Sequence, residues 1–313
     1  MSPALACKFG FLVWVERYHP GRNSIKPMDA LAWGHHLCLF WRIGAPARRS
    51  DDGGKPMSIR LRQICLVAQK LAPVLDDFKA IFGLEVCFVD KAVATFGLEN
   101  SLMPVGSNFI EVVAPIKENA AAGRYLQRRN GDGGYMVICQ CASHEVQQER
   151  RKRAAAMNIR VAWAHESKTF DAMQLHPADT GGAFFEIDWD AKGESQGHWE
   201  PAGGDGWPAA RRTEVVSAYK AVELQSADPR GLAERWSGIA ELPLRKDARD
   251  RWELPLDNAS VRFVEATDGR GEGLGGIDIV AIDRKRILEA AERRGCRVAD
   301  DEVMVCGTRF YLV

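Results

Sequence analysis

From Leu61 onward, short runs of alternating apolar and polar residues give way to a helical spacing, and this unit recurs four times. The first copy opens with RLRQICLVA, whose alternation predicts a strand. It continues with Leu71, Leu75, Phe78 and Phe82 on one helical stripe, a stop at Gly83 and a strand LEVCFV. The second copy is GYMVICQCA, Ser143 as N-cap, a helix through Met157 and the strand IRVAW, the arginine-rich middle of the helix predicting a solvated face. The third is VSAYKAVELQ followed by Asp228 and Pro229 as cap and first helical residue, with Leu232, Trp236 and Ile239 on the buried stripe. The fourth is GIDIVAI, Asp283 as N-cap, Ile287, Leu288 and Ala291 inward, Gly295 as the stop, and CRV. Starts at Leu61, Gly134, Val216 and Gly276 leave intervals of 73, 82 and 60 residues, the size of one small supersecondary unit.

Further strands, SNFIEVVAP, GGAFFEIDWD and ASVRFVEA, lie between the helices. One helix for several strands predicts an α+β class, with mixed sheets carrying helices on one face and four βαβββ-type modules paired into two domains. Residues 1–56 scatter tryptophans, His35, His36, prolines and arginines without periodicity and end in a polar run, Arg48 to Lys55. They are read as a leader outside the core, disordered or preceding the true start. The chain then divides into a first domain over 57–200, a linker over 201–212 and a degenerate second domain over 213–313. The wider Gly- and Pro-rich stretch from Lys192 to Arg212, with His198, Trp199 and Trp207, carries no periodicity of its own.

Alternation sorts the first-domain strands into two chemically different faces. Ile64, Leu66 and Ala68, Ile110, Val112 and Ala114, Val137, Cys139 and Cys141, and Phe185, Ile187 and Trp189 make an apolar face suited to lie under helices. The opposite face carries Gln63, Cys65 and Val67, Phe109 and Glu111, Met136, Ile138 and Gln140, and Phe184, Glu186 and Asp188. Large apolar residues are badly placed there if the face meets water, and the glutamates are costly there if it is packed core. A curved sheet enclosing a small-molecule pocket meets both demands, with carboxylates at strand ends in water as the competing reading.

These segments resemble the vicinal-oxygen-chelate superfamily, which includes glyoxalase I, methylmalonyl-CoA epimerase, extradiol dioxygenases and bleomycin-resistance proteins. The resemblance covers residues 61–190 well and 214–313 only by pattern. In that family the first and last strands of each module supply one metal ligand apiece. By position Gln63 in RQICLVA, Glu111 in FIEVVAP and Glu186 in GGAFFEID fall on three of the four ligand places, and LHPADTGG looks like the family's turn before the last strand. Met136 stands where a histidine is usual, as in a group of uncharacterised glyoxalase-like bacterial proteins. A thioether suits soft ions whereas an amide and two carboxylates suit hard ones, so the set is mismatched for zinc, nickel or iron. No cofactor is expected, with weak Mg²⁺ or Mn²⁺ binding by Gln63, Glu111 and Glu186 the one metal alternative. In the second domain Ala218, Phe263 and Ile277 fall at or near the ligand places, which implies a metal-free half.

The resemblance and the face sorting together nominate Glu111 and Glu186 as catalytic groups. Gln63, Asn100, Arg124, Met136, Gln140 and His176 are the substrate-binding candidates. His176 precedes a proline in a turn, where an imidazole bonding backbone is the competing reading, and Arg124 belongs to an arginine cluster that equally suits solvent. Two function classes follow: a lyase, isomerase or epimerase in which a buried carboxylate moves a proton next to a carbonyl, or a binding or antibiotic-sequestering protein that needs a pocket but no ligand set. An extradiol dioxygenase needs two histidines and a glutamate on iron, and the second half has no such triad.

Composition narrows the partners. Lys plus Arg equals Asp plus Glu at 42 each over 313 residues, so no global field draws the chain onto nucleic acid or an anionic membrane. The apolar run Phe9 to Val15 has neither the flanks of a signal peptide nor the length of a span. Eight cysteines without a CxxC pair read as reduced thiols. The expected protein is therefore a cytoplasmic monomer or homodimer with a small-molecule ligand.

Overall fold

The computed structural model describes residues 58–313, which belong to one compact unit. The leader expected over 1–56 lies outside the described residues. The first module is β1 (Ile59–Val67), α1 (Leu71–Phe82), β2 (Leu98–Val105) and β3 (Asn108–Pro115). A short helix α2 (Ala121–Arg128) leads to the second: β4 (Gly133–Cys141), α3 (His144–Ala156), β5 (Val161–Glu166), β6 (Phe170–Leu175), the single turn α4 (Pro177–Thr180) and β7 (Phe184–Asp190). The third is β8 (Val216–Ser226), α5 (Pro229–Ala240), β9 (Arg245–Lys246), β10 (Trp252–Pro255) and β11 (Ser260–Glu265). The fourth is β12 (Gly273–Ala281), α6 (Arg284–Arg293), β13 (Glu302–Val305) and β14 (Thr308–Leu312).

The local signals act as their chemistry dictates. Gly83 takes φ 68°, a conformation that costs glycine nothing, so that its N–H donates back to the Lys79 carbonyl and that of Leu84 to the Phe78 carbonyl. Ser143, Asp228 and Asp283 each accept a backbone N–H of the first turn, from Val146, Gly231 and Arg286. The strands expected after α1 and α6 shrink to single bridges, Phe88 to Leu102 and Arg297 to Val303. Val86 and Val89 remain exposed there, with no apolar layer to reward a full strand.

Modules pair through their first strands. β1 runs antiparallel to β4 and β8 antiparallel to β12, giving seven-stranded sheets ordered β2-β3-β1-β4-β7-β6-β5 and β13-β14-β12-β8-β11-β10-β9. The helices lie between the sheets. Phe78 and Phe82 of α1 reach Phe310 of β14 at ring separations of 5.7 and 5.0 Å, and Trp236 of α5 stacks on Phe185 of β7 at 4.3 Å. One apolar cluster thus runs through both halves, so the sheets share a core rather than each closing over its own. The arginines of α3 are not simply solvated: Arg150 is fully buried and pairs with Glu241 at the end of α5, because α3 and α5 pack together. Arg129 is likewise buried, its guanidinium donating to the carbonyls of Arg270, Gly271 and Glu272.

Candidate functional site

The apolar side chains of β1, β3, β4 and β7 face the helices, as their alternation predicts, and the mixed set occupies the far face. That face curls: Phe96, from the turn Lys91–Phe96 of the first module, meets Trp163 on β5 of the second edge-on at 6.2 Å. Two segments cover the cup. Ala122, Tyr125 and Leu126 of α2 pack over one part, with the Tyr125 hydroxyl donating to the Gly134 carbonyl at 2.7 Å. Trp199, Ala202 and Trp207 pack over another.

The stretch read as a linker therefore does more than connect. Trp199 and Trp207 are 0 % and 1 % exposed, and Trp207 meets Phe109 edge-on at 5.1 Å. Arg62 is the strap's fastening, donating to the carbonyls of Ser195, Gly197 and His198 while lying over the Phe109 and Trp199 rings. Burial lowers the Arg62 guanidinium to about 10, the largest influence on it. An aromatic pair in a Gly-rich, non-periodic stretch was the signal that could have shown this.

Glu111 sits among neutral donors. Its carboxylate accepts Gln63 Nε2 at 3.0 Å and Asn100 Nδ2 at 2.6 Å, and the Cys65 thiol also bonds it. Burial raises its pKa, and those three hydrogen bonds pull it back down. Gln63 has no freedom to flip, since its Oε1 accepts Trp199 Nε1 at 3.0 Å; reversal would set oxygen against carboxylate and N–H against N–H. Asn100 is fixed in the same way, its Oδ1 accepting the Asp90 N–H at 2.9 Å.

Glu186 sits differently. It is 5 % exposed, its carboxyl lies beside the Gln174 and Asp188 side chains, and its Oε2 has no hydrogen-bond partner. Burial is the largest influence and raises its pKa to about 7, with a further push from Glu111. Asp188, two residues on along the same face and wholly buried, is raised well above the usual carboxylate range by burial and then by Glu186. Glu111 and Glu186 stand on β3 and β7, three strands apart in the sheet order, and the carboxyl beside Glu186 is Asp188. Asp188 was legible as a position on this face but not as a partner.

The other nominated residues divide. Met136 lies buried on the far face and Gln140 donates to the Glu194 carbonyl, leaving its own Oε1 without a partner. His176 caps α4, its Nδ1 accepting the Ala178 N–H at 3.1 Å, with its ring 6.5 Å from Phe184; burial and then Arg160 lower its pKa. Arg124 is exposed on α2 and donates to the Asn119 carbonyl, so no hydrogen bond brings it to the cup. Two surface clefts stand out, about 300 Å³ beside His144 and Asp171 and about 520 Å³ beside Pro115 and Gln127, and neither is lined by Glu111 or Glu186.

The four-ligand metal set does not fit these positions. Gln63 turns its amino group toward Glu111 and spends its oxygen on Trp199, the Glu111 oxygens are taken by donors, and Met136 offers a thioether. Among the described residues no group of three or more His, Cys, Asp or Glu side chains is set to hold a metal ion.

Modules paired antiparallel through their first strands, with last-strand carboxylates on the face away from the helices, define the architecture. The fold is the vicinal-oxygen-chelate fold. Among solved structures the chain is similar to a hypothetical protein from Staphylococcus aureus, with 11% identity, 82% of this chain and 99% of that chain covered, and a TM-score of 0.55. It is also similar to methylmalonyl-CoA epimerase from Mycobacterium tuberculosis, with 19% identity, coverages of 42% and 88% and a TM-score of 0.36. A further methylmalonyl-CoA epimerase, in complex with methylmalonyl-CoA and NH4+, gives 19% identity, coverages of 44% and 99% and a TM-score of 0.38. No protein-family model and no curated protein matches the sequence. Among the described residues no helix is long and apolar enough to cross a membrane.

Register within this fold corrects the second half. Glu223 pairs with Arg262 and with Gly276 as Cys65 pairs with Glu111 and with Met136, and Asp278 pairs with Tyr311 as Ile138 pairs with Glu186. The far-face counterparts of Glu111, Met136 and Glu186 are thus Arg262, Gly276 and Tyr311. Phe263 and Ile277 point the other way, into the helix-side core, and Ala218 lies three residues before Ala221, the counterpart of Gln63. The glyoxalase-like second half carries an ion network instead: Arg262 bonds Glu223 at 2.9 Å and Asp278 at 2.7 and 2.8 Å.

Proposed function

We propose that the far face of the first sheet is a small-molecule site at which Glu186 moves a proton next to a carbonyl, as in lyase, isomerase or epimerase chemistry. One observation carries this reading: a buried carboxyl with an unpartnered oxygen that titrates at about 7. A base is most effective when its pKa lies near the working pH, because it is then both available and strong enough. Glu186 as carboxylate takes the proton of a carbon acid and returns it, with Gln174 and Asp188 beside it. Glu111, with its oxygens engaged by Gln63 and Asn100, keeps those amides in place rather than reacting. No step runs through a metal.

The test is proton wash-in: carbonyl compounds with acidic α-hydrogens are incubated in D2O with the full chain, and exchange is followed by NMR. Catalysed exchange with one compound, lost in Glu186→Gln and retained in part in Glu111→Gln, supports the reading. Exchange that survives Glu186→Gln defeats it. A second reading, a non-catalytic binding or sequestering protein, is favoured by the Trp199 indole held across Gln63. It corresponds to ligand-induced thermal stabilisation without exchange.

A further inference from the structure

Trp163, Gln174 and Glu186 occupy one row across β5, β6 and β7: Trp163 is in register with Gln174, and Gln174 with Glu186. Burial rises along that row, from half-buried Trp163 and Gln174 to Glu186 at 5 % exposed. Gln174 stands between Trp163 and Glu186 and acts on the Glu186 carboxyl, so the row links the rim of the cup to the nominated base. At the rim the chain leaves apolar surface uncovered. Phe96 is 49 % exposed, and Trp163 lies between it and His165, whose ring is 6.3 Å from the indole and nearly parallel to it at 12°.

Burial in the core does not account for these aromatics. β5 is an edge strand with Val161, Ala162 and Ala164 exposed, and its two half-buried rings turn toward the cup rather than toward the helices. A half-covered aromatic pair at the rim of a mostly apolar cup with a few buried polar groups is the pattern of an amphipathic ligand's binding site: apolar surface at one end, a few placed polar groups at the other.

We infer that Phe96 and Trp163 form a subsite for an apolar, preferably aromatic, group of the substrate, carried about 10 Å from the carbon whose proton Glu186 moves. The separation is two strand spacings of ~4.8 Å each. This rests on the reading of Glu186 as the base, and it narrows the substrate class to carbonyl compounds bearing an apolar tail of that reach. Small carbonyl compounds without such a tail engage the carboxyl end alone.

The experiment compares two probes on the full chain, the acetoacetic ester of phenylpropanol and methyl acetoacetate, with affinity read by titration calorimetry and α-proton exchange by NMR. The phenylpropyl ester binds more tightly, and Trp163→Ala and Phe96→Ala each remove roughly five- to tenfold of that advantage while leaving the methyl ester within about twofold. Trp163→Phe keeps most of the preference, which separates loss of an aromatic surface from damage to β5, and circular dichroism reports folding of each variant. Equal binding of the two esters, no saturable binding of the phenylpropyl ester, or a preference that survives in folded Trp163→Ala overturns the subsite. Tail preference lost in Trp163→Ala without catalysed exchange of either ester upholds the subsite and defeats the proton-transfer reading instead.

Discussion

Replacing Glu186 by glutamine should stabilise the protein, and only above a definable pH. In the unfolded chain this carboxyl titrates near its ordinary 4.5, in the folded chain at about 7. Between those values the folded state binds the extra proton, so its stability falls as pH rises, and above about 7 the whole cost of holding a buried charge is present. At about 1.4 kcal/mol for each tenfold difference in proton affinity the cost comes to about 3 kcal/mol. For a unit of this size that corresponds to roughly 5–10 °C in melting temperature. Glutamine preserves the shape and can still meet Gln174 and Asp188, but carries no charge to bury. Thermal melts of wild type and Glu186→Gln across an acid-to-alkaline series should therefore coincide at the acid end and separate progressively in favour of the variant. A variant equally shifted at both ends, or less stable at the alkaline end, refutes the argument, since it makes the effect one of packing rather than of proton linkage.

Three further outcomes are expected. Trp199→Phe keeps much of the ring volume but leaves Gln63 Oε1 without its donor, costing about 1–3 kcal/mol in denaturant melts. Arg262→Met strands Glu223 and Asp278 on the far face of the second sheet and costs about 3–5 kcal/mol, read the same way. Gly134→Ala sets a methyl 2.3 Å from the Leu274 side chain and 2.6 Å from its carbonyl oxygen where β4 meets β12, so it lowers the melting temperature by an amount equivalent to about 1–3 kcal/mol.

Periodic signals survived folding and aperiodic ones did not. The strand alternation around Gln63, Glu111, Met136 and Glu186 assigned each to the far face because one buried helix-side layer enforces the parity of the whole sheet. The same reasoning slipped by one residue at Phe263 and Ile277. For Ile277, irregular register between β8 and β12, at Leu274/Gly276 and at Asp278/Ile279, shifts parity without leaving a mark in composition, whereas β11, which carries Phe263, pairs regularly with β8. Trp199 and Trp207 were invisible to a periodicity argument because the strap follows the surface of the sheet it covers, not a repeat of its own. Arg150 read as solvated because a sequence does not show that α5 ends against α3 with Glu241 ready to pair. Asp188 was on the right face, but its effect on Glu186 depends on how deeply the two carboxyls are buried together, which the spacing alone does not show.

The two sheets show why related cups need not share a role. At the place of Glu111 the second sheet has Arg262, and the guanidinium draws Glu223 and Asp278 into direct ion pairs, with Arg309 and the Tyr311 hydroxyl closing on Glu223 at 3.2 and 3.0 Å. None of the side-chain atoms of Glu223, Arg262, Asp278 or Arg309 is among the buried atoms without a partner. A face satisfied in this way has a well-paired network and no buried group waiting for a donor, which is a stabilising arrangement but a poor one for taking a proton from a ligand. The first sheet instead solvates Glu111 with neutral amides and leaves one oxygen of Glu186 and both of Asp188 unmatched. Buried polar groups are nearly always paired, so those unmatched oxygens are among the few exceptions in the described residues. They lie two strands inward from aromatic surface at the rim, and a ligand bringing a proton to Glu186 and apolar bulk to Trp163 relieves both at once.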